Sequence, residues 1–189
     1  EMFNHSIMGD FKALWIMGEN PVISDPNQHH VISALKSLQF FVVQDIFLTE
    51  TAELADVVLP SCAFLEKQGT VANTERRVQL MNKVVSPPGK AKDDWWIITE
   101  VAKRMGADWN YKKPKDIFAE IRKVTPSYAG MTYERIKKEL LQWPCPTEDH
   151  PGTQFLHKDR FSRGLGLLTP IEYTAPAEET DADYPMILT

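Results

Sequence analysis

Three short, largely apolar runs separated by helix-sized segments constrain this chain more than any other feature. Ala13-Leu14-Trp15-Ile16-Met17 ends in Gly18-Glu19-Asn20-Pro21, Phe40-Phe41-Val42-Val43 ends in Gln44-Asp45, and Asp56-Val57-Val58-Leu59 ends in Pro60-Ser61. A strand with one face in water alternates apolar and polar residues, whereas an unbroken apolar run fits a strand buried on both faces. Between the first two runs, Val31, Ile32, Leu35 and Leu38 recur at helical spacing, with Asp25 before Pro26 as the expected cap. Between the second and third lies a shorter helical stretch, Thr51 to Leu54. Strands alternating with helices over short connections predict an α/β fold. Parallel neighbours need crossovers, and the crossovers lay helices on the sheet faces, so the expected form is a doubly wound, Rossmann-like parallel sheet.

Beyond Pro60 the chain turns polar through Glu66-Lys67-Gln68-Gly69-Thr70 and Asn73-Thr74-Glu75-Arg76-Arg77, then loosens at Ser86-Pro87-Pro88-Gly89, and reads as a loop-rich excursion. The clearest helix follows. Asp93-Asp94 opens it, Trp95, Ile97, Ile98, Val101, Ala102 and Met105 give its apolar face, and Lys103-Arg104 and Gly106 close it. Two more helices are expected near Lys115 to Lys123 and Thr132 to Leu141, and Gly164 to Pro185, with its acidic run Glu178-Glu179-Thr180-Asp181, reads as a solvated connector. The expected organisation is an α/β domain over residues 1–145 and a loop-rich C-terminal arm over 146–189 that leads into another domain. The chain begins with Glu1 rather than Met, and Pro185-Met186-Ile187-Leu188-Thr189 reads as the start of a strand, so both ends are expected to be cut ends of a longer protein.

The 189 residues, 43% of them hydrophobic, suffice for one sizeable core. A net charge of −5 with scattered basic residues argues against a nucleic-acid partner. No run is long enough to span a membrane and no secretory signal opens the chain, which points to the cytoplasm, although a periplasmic parent stays open because the N-terminus is missing. The two cysteines, Cys62 and Cys145, lie far apart without partners at ligand spacing and read as buried small residues. Adjacent His29 and His30 on one helix point different ways and make no metal site. No residue here is assigned a catalytic or metal-ligating role.

In an open parallel sheet, ligands bind outside the carboxyl ends of the strands. Gly18 would let backbone approach a ligand closely, Asn20 offers a donor and an acceptor, and Asp45 can accept two hydrogen bonds from a planar amino-imino edge or a ribose diol. Only Gly18 represents the Gly-x-Gly-x-x-Gly fingerprint, so ordinary NAD or FAD binding is disfavoured. By residue physics alone, Gly18-Glu19-Asn20-Pro21 is first of all a tight turn, Asp94 a helix cap, Lys67 a solvated lysine with Glu66 as a possible ion partner, Arg76-Arg77 a surface ion pair, and Trp95-Trp96 packing.

Read together, Gly18-Glu19-Asn20-Pro21, Gln44-Asp45-Ile46-Phe47-Leu48-Thr49-Glu50-Thr51-Ala52, Ala55-Asp56-Val57-Val58-Leu59-Pro60, Glu66-Lys67-Gln68-Gly69-Thr70, Asn73-Thr74-Glu75-Arg76-Arg77-Val78-Gln79 and Lys92-Asp93-Asp94-Trp95 resemble the molybdopterin oxidoreductase family in order and content. The likeness spans about residues 10 to 110, and Gln142-Trp143-Pro144-Cys145-Pro146 resembles its formate dehydrogenase branch.

The resemblance implies a piece of a catalytic subunit in which two molybdopterin guanine dinucleotides clasp molybdenum or tungsten. Gly18, Asn20, Gln44, Asp45, Lys67 and Asp94 match positions lining the guanosine and phosphate part of one dinucleotide. Asp45 or Asp94 would face the guanine N1–H and amino group, and Lys67 the pyrophosphate. The 4Fe-4S cluster and the metal-binding cysteine or selenocysteine of the family have no counterpart here, so the segment alone is expected to be inactive. Implied partners are the remaining domains of the same subunit and iron–sulfur or diaphorase electron-transfer subunits. Two other outcomes stay open, a cofactor-free scaffold of the same descent and a nitrate-reductase-like branch.

Overall fold

A computed structural model describes residues 1–175 and 179–187. Its centre is a parallel sheet of three strands in the order β1 (Ala13–Met17), β2 (Phe40–Asp45), β3 (Val57–Pro60). The register pairs Met17 with Gln44 and Gln44 with Leu59, so the carboxyl ends of all three strands finish at one level. A further parallel bridge, Ser61 to Lys92, ties the chain entering α4 (Asp94–Arg104) to the end of β3. The α/β architecture expected from the apolar runs is the one observed, a parallel sheet flanked by helices.

One face of the sheet is closed by helices, and the other is an apolar surface that stays partly exposed. Ile16, Phe41 and Val43 meet Val31 and Leu35 of α3 (Gln28–Lys36), Val22 of α2 (Pro21–Ser24) and Ala52. On the other face, Trp15, Val42 and Leu59 line an apolar cavity of about 520 Å³ with Val101 of α4 and Met105 just past its end. Burying a Phe or Val side chain stabilises a fold by ~1.5–3 kcal/mol, so Phe41 and Val43 anchor the central strand.

A second core joins Val78, Phe118, Met131, Ile136, Leu141 and Cys145. The elements β5 (Val78–Met81), α5 (Pro114–Val124) and α6 (Tyr133–Lys138) supply Val78, Phe118 and Ile136, and the segments flanking α6 supply Met131, Leu141 and Cys145. The Phe118 ring meets Tyr133 edge-on at 5.7 Å, a favoured arrangement for aromatic pairs. Residues 1–153 form one compact unit and 154–189 another. The described residues of the second contain turns and one bridge, Phe161 to Gly164, but no helix or strand.

Several elements differ from expectation. The segment read as loop-rich contains an antiparallel pair, β4 (Gly69–Ala72) with β5. Each strand is four residues long, too short for a period to show. Their connection turns at Arg76, whose φ of 68° is unusual for a side-chain-bearing residue. Asn73 supports that turn by accepting from the Arg77 N–H at 2.9 Å. Two short helices, α1 (Met2–Ile7) and α2, were not anticipated. Pro21, read as part of a turn, is the first residue of α2, where its missing N–H costs nothing. The cap of α3 is Asn27, accepting from His30 N–H at 3.1 Å, and not Asp25, which instead ends α2. The last helix stops at Lys138, short of Leu141. Residues 176–178 and 188–189 lie outside the described residues, and with them part of the acidic run and of the expected final strand.

Candidate functional site

At the carboxyl ends of the strands the chain forms a cavity of about 580 Å³, lined among others by Gly18, Asp45, Ser61, Cys62, Lys67 and Asp94. Each arrives there for a local reason. Gly18 has a φ of +64°, a conformation that costs a residue with a Cβ, and its N–H donates to Gln44 O at 2.9 Å, which carries the pairing one residue past β1. Asp45 is the last residue of β2, and its Oδ1 accepts from the next N–H, Ile46, at 2.6 Å. Lys67 follows a short turn, Phe64–Glu66, in which the Glu66 carboxylate accepts from Ala63 N–H at 2.8 Å. Glu66 is therefore spent on its own turn, and the ion partner of Lys67 is Asp94.

Asp94 is the first residue of α4, where the partial positive charge of the helix end favours a carboxylate. The cap residue is Asp93, whose carboxylate accepts from the Trp95 ring N–H at 3.1 Å instead of from the helix backbone. Asp94 is thus not the cap. One of its oxygens takes the Lys67 ammonium and the other accepts from Gln44 Nε2 at 2.7 Å. A carboxylate accepts about four hydrogen bonds, and these two leave room for two more on a group that faces the cavity.

Gln44 stands behind this arrangement. It is 1% exposed, it is not among the cavity-lining residues, and its Oε1 is buried without a hydrogen-bond partner. Leaving a buried acceptor unpaired costs ~1–3 kcal/mol. The opposite amide orientation would turn that oxygen on the Asp94 carboxylate, so the NH2 group faces Asp94 despite the cost.

Asn20 is drawn elsewhere. Its Oδ1 accepts from the Thr51 hydroxyl at 2.7 Å and from Thr51 N–H at 3.3 Å, while Nδ2 donates to Glu50 at 2.8 Å. Thr51 is fully buried and its hydroxyl also accepts from Val22 N–H at 3.2 Å. Asn20 therefore ties the turn after β1 to the segment after β2. The Asn20 hydrogen bond, with help from the backbone, holds the Glu50 carboxyl below its ordinary range.

Other polar candidates have structural partners. Arg76 donates to Trp143 O and to Thr153 O, and its guanidinium lies 5.6 Å from the Trp143 ring centre. Arg77 Nε lies 2.8 Å from Glu75 Oε2, a charge contact without hydrogen-bond alignment. Lys92 sits over the Trp96 ring at 5.6 Å. Cys145 is buried near Arg135 and the His150 carbonyl. Cys62, also buried, lines the cavity, and burial reinforced by Asp93 pushes its thiol up to about 11. Among the described residues no group of three His, Cys, Asp or Glu side chains is placed to hold a metal ion.

Of the residues singled out in the sequence, Gly18, Asp45, Lys67 and Asp94 line the cavity, Gln44 touches it through Asp94, and Asn20 does not line it. Ser61, which ends the third apolar run and is a strand-end residue of the kind expected to face a ligand, also lines the cavity, whereas Cys62, read as a buried small residue, was missed although its place directly after that run was a usable signal. The Gln44–Asp94 and Lys67–Asp94 contacts, 50 and 27 residues apart in sequence, left none.

The model of the family described as Molybdopterin oxidoreductase matches residues 1–104. The chain is 58% identical over 184 residues to the F420-dependent formate dehydrogenase subunit alpha of Methanocaldococcus jannaschii, covering 95% of this chain and 27% of that protein. It is 51% identical to the F420-dependent formate dehydrogenase 1 subunit alpha of Methanococcus maripaludis, over 94% of this chain and 27% of the relative. An assimilatory nitrate reductase catalytic subunit of Bacillus subtilis is 40% identical over all of this chain and 28% of its own length. Among solved structures, the acetylene hydratase of Pelobacter acetylenicus superposes with a TM-score of 0.59 at 29% identity, over 75% of this chain and 20% of the hydratase. The chain thus spans about a quarter of the length of the curated relatives it matches.

Proposed function

We propose a function for this segment from one premise: the chain belongs to the molybdopterin oxidoreductase family. The segment holds the guanosine end of a molybdopterin guanine dinucleotide inside the catalytic subunit of a formate dehydrogenase. The observation that carries this reading is Asp94, a carboxylate braced by two donors with acceptor capacity left over, in a cavity at the strand ends. Guanine presents N1–H and the 2-amino group side by side, two donors that a carboxylate accepts together. Adenine presents an acceptor at N1, which Asp94 would repel.

The cavity lies within the ~300–1,000 Å³ usual for small-molecule sites. The contact of Lys67 with Asp94 supports a role at the O6 acceptor beside guanine N1–H, closer to the base than the pyrophosphate role that the resemblance implies. Asp45, at the level of the strand ends, is left for the ribose hydroxyls. Asn20 keeps the turn carrying Gly18 in place so that backbone can approach the ligand.

When bound, the pterin-held molybdenum or tungsten supplies the two-electron exchange between formate and carbon dioxide, and this segment supplies grip and orientation. Formate is preferred over nitrate as substrate because the relatives named as formate dehydrogenases above share 58% and 51% of residues, against 40% for the nitrate reductase. The remaining domains of the same subunit, a 4Fe-4S cluster and a separate electron-transfer subunit complete the proposed enzyme, with the cytoplasm as its site.

Titrating the chain with GMP and AMP while following amide resonances tests the reading. GMP is expected to bind weakly, since the rest of the site lies outside the segment, and to shift Gly18, Asp45 and Asp94. Equal shifts with AMP, or none at millimolar GMP, would overturn it.

A further inference from the structure

We infer that Gln44 is a positioning residue that sets base selectivity through Asp94 without touching the nucleotide. This rests on the guanine reading of Asp94 and adds a specificity determinant that lies behind the cavity wall.

Three observations carry it. Gln44 is almost wholly buried and absent from the cavity lining, so a ligand in the cavity does not reach its amide directly. Its Nε2 donates to Asp94 Oδ1 at 2.7 Å, fixing one carboxylate oxygen while Lys67 holds the other. Its own Oε1 is left buried and unpaired, an arrangement that burial disfavours unless the NH2 group has work to do at Asp94.

The consequence is geometric. Lys67 is partly exposed on a flexible stem, and a lone lysine contact lets a carboxylate swing about its χ angles. The amide of Gln44 comes from a central strand whose neighbours Val43 and Phe41 are buried, so it is the rigid one of the two braces. With both in place the carboxylate plane is set, and its two free acceptor positions can engage N1–H and the 2-amino group together. Without Gln44 the plane turns, one bond of the pair is made at a time, and the 2-amino group no longer counts.

IMP lacks only that 2-amino group, so the ratio of GMP to IMP affinity reads the second bond directly. In the parent chain GMP is expected to bind about 10-fold more tightly than IMP, the worth of one hydrogen bond to a charged group. Gln44→Met keeps the side-chain volume and removes the donor, and it is expected to bring the ratio down to about 2, mainly by weakening GMP. In an Asp94→Asn background the same substitution is expected to leave the ratio unchanged, because Gln44 has no route to the ligand except Asp94. A residue that merely filled space would change stability in both backgrounds and the ratio in neither.

Should Gln44→Met fail to fold, the Gln44 side-chain NH2 resonances of the parent chain carry the test. At saturation they are expected to shift further with GMP than with IMP, and to stay put with inorganic phosphate. A parent chain that binds GMP and AMP alike overturns both the guanine reading and this inference. A guanine-selective parent whose GMP to IMP ratio survives Gln44→Met, or falls equally in the Asp94→Asn background, overturns only the inference. Side-chain resonances that ignore GMP, or respond equally to IMP, do the same.

Discussion

Asn20→Ala separates a residue that holds the site together from one that merely borders it. The substitution removes the acceptor of two donors from Thr51, a residue with no exposed surface, and the bond from Nδ2 to Glu50. Each neutral hydrogen bond contributes ~1 kcal/mol, and a buried donor left unpaired costs ~1–3 kcal/mol. The Thr51 hydroxyl can rotate toward another acceptor, but its N–H cannot, so a loss of roughly 2–3 kcal/mol is expected. For a chain of this length that corresponds to a fall of roughly 5–10 °C in Tm.

Asn20→Asp keeps the acceptor for Thr51 while placing a carboxylate beside Glu50, and is expected to melt between the parent and Asn20→Ala. Glu50 supplies an internal check. Its folded-state pKa is lowered first of all by Asn20, so its contribution to stability is present above its ordinary pKa and is lost as pH falls through the lowered one. In Asn20→Ala the carboxyl should titrate closer to an ordinary glutamate, which carbon NMR of the side chain measures. An Asn20→Ala chain that melts within about 1 °C of the parent, with Glu50 titrating unchanged, would refute the reasoning, since a real network of this size must register at that scale.

Two further outcomes follow from the geometry. Gly130→Ala would place a Cβ 1.9 Å from the Thr147 carbonyl oxygen and 2.8 Å from that of Cys145, both backbone atoms, and is expected to cost ~4 kcal/mol or more by denaturant unfolding; Gly106→Ala, where nothing lies within 4 Å but φ is +95°, should cost ~1 kcal/mol. Cys62, buried and with its thiol pushed up to about 11, should resist iodoacetamide at pH 8 in the native chain and react on unfolding, as followed by mass spectrometry; labelling of the native chain at the unfolded rate would contradict the burial.

The parallel sheet was legible in the sequence because strands that are apolar on both faces leave an unbroken apolar run, and Phe40 to Val43 is such a run. The strand β4 was not, because Gly69 to Ala72 is too short for a period to show and its turn is held by a side chain, Asn73, and an unusual φ at Arg76. The site followed the same division. Gly18 and Asp45 are where chain direction alone puts ligand-facing residues, at the ends of strands. Lys67 and Asp94 could be matched by resemblance, but their contact depends on how a short turn packs against the start of α4. That Gln44 lies behind Asp94 and that Asn20 spends its amide on Thr51 are facts of packing between segments far apart in the chain, and neither residue's type nor spacing announces them.

A crystal of the chain soaked in millimolar GMP tests the central claim most directly. The guanine N1 and 2-amino nitrogens should lie within about 3.2 Å of the two Asp94 oxygens, with Lys67 at O6 and the ribose toward Asp45. Density for the nucleotide away from Asp94, or seated there with the base edge turned to solvent, would contradict the account.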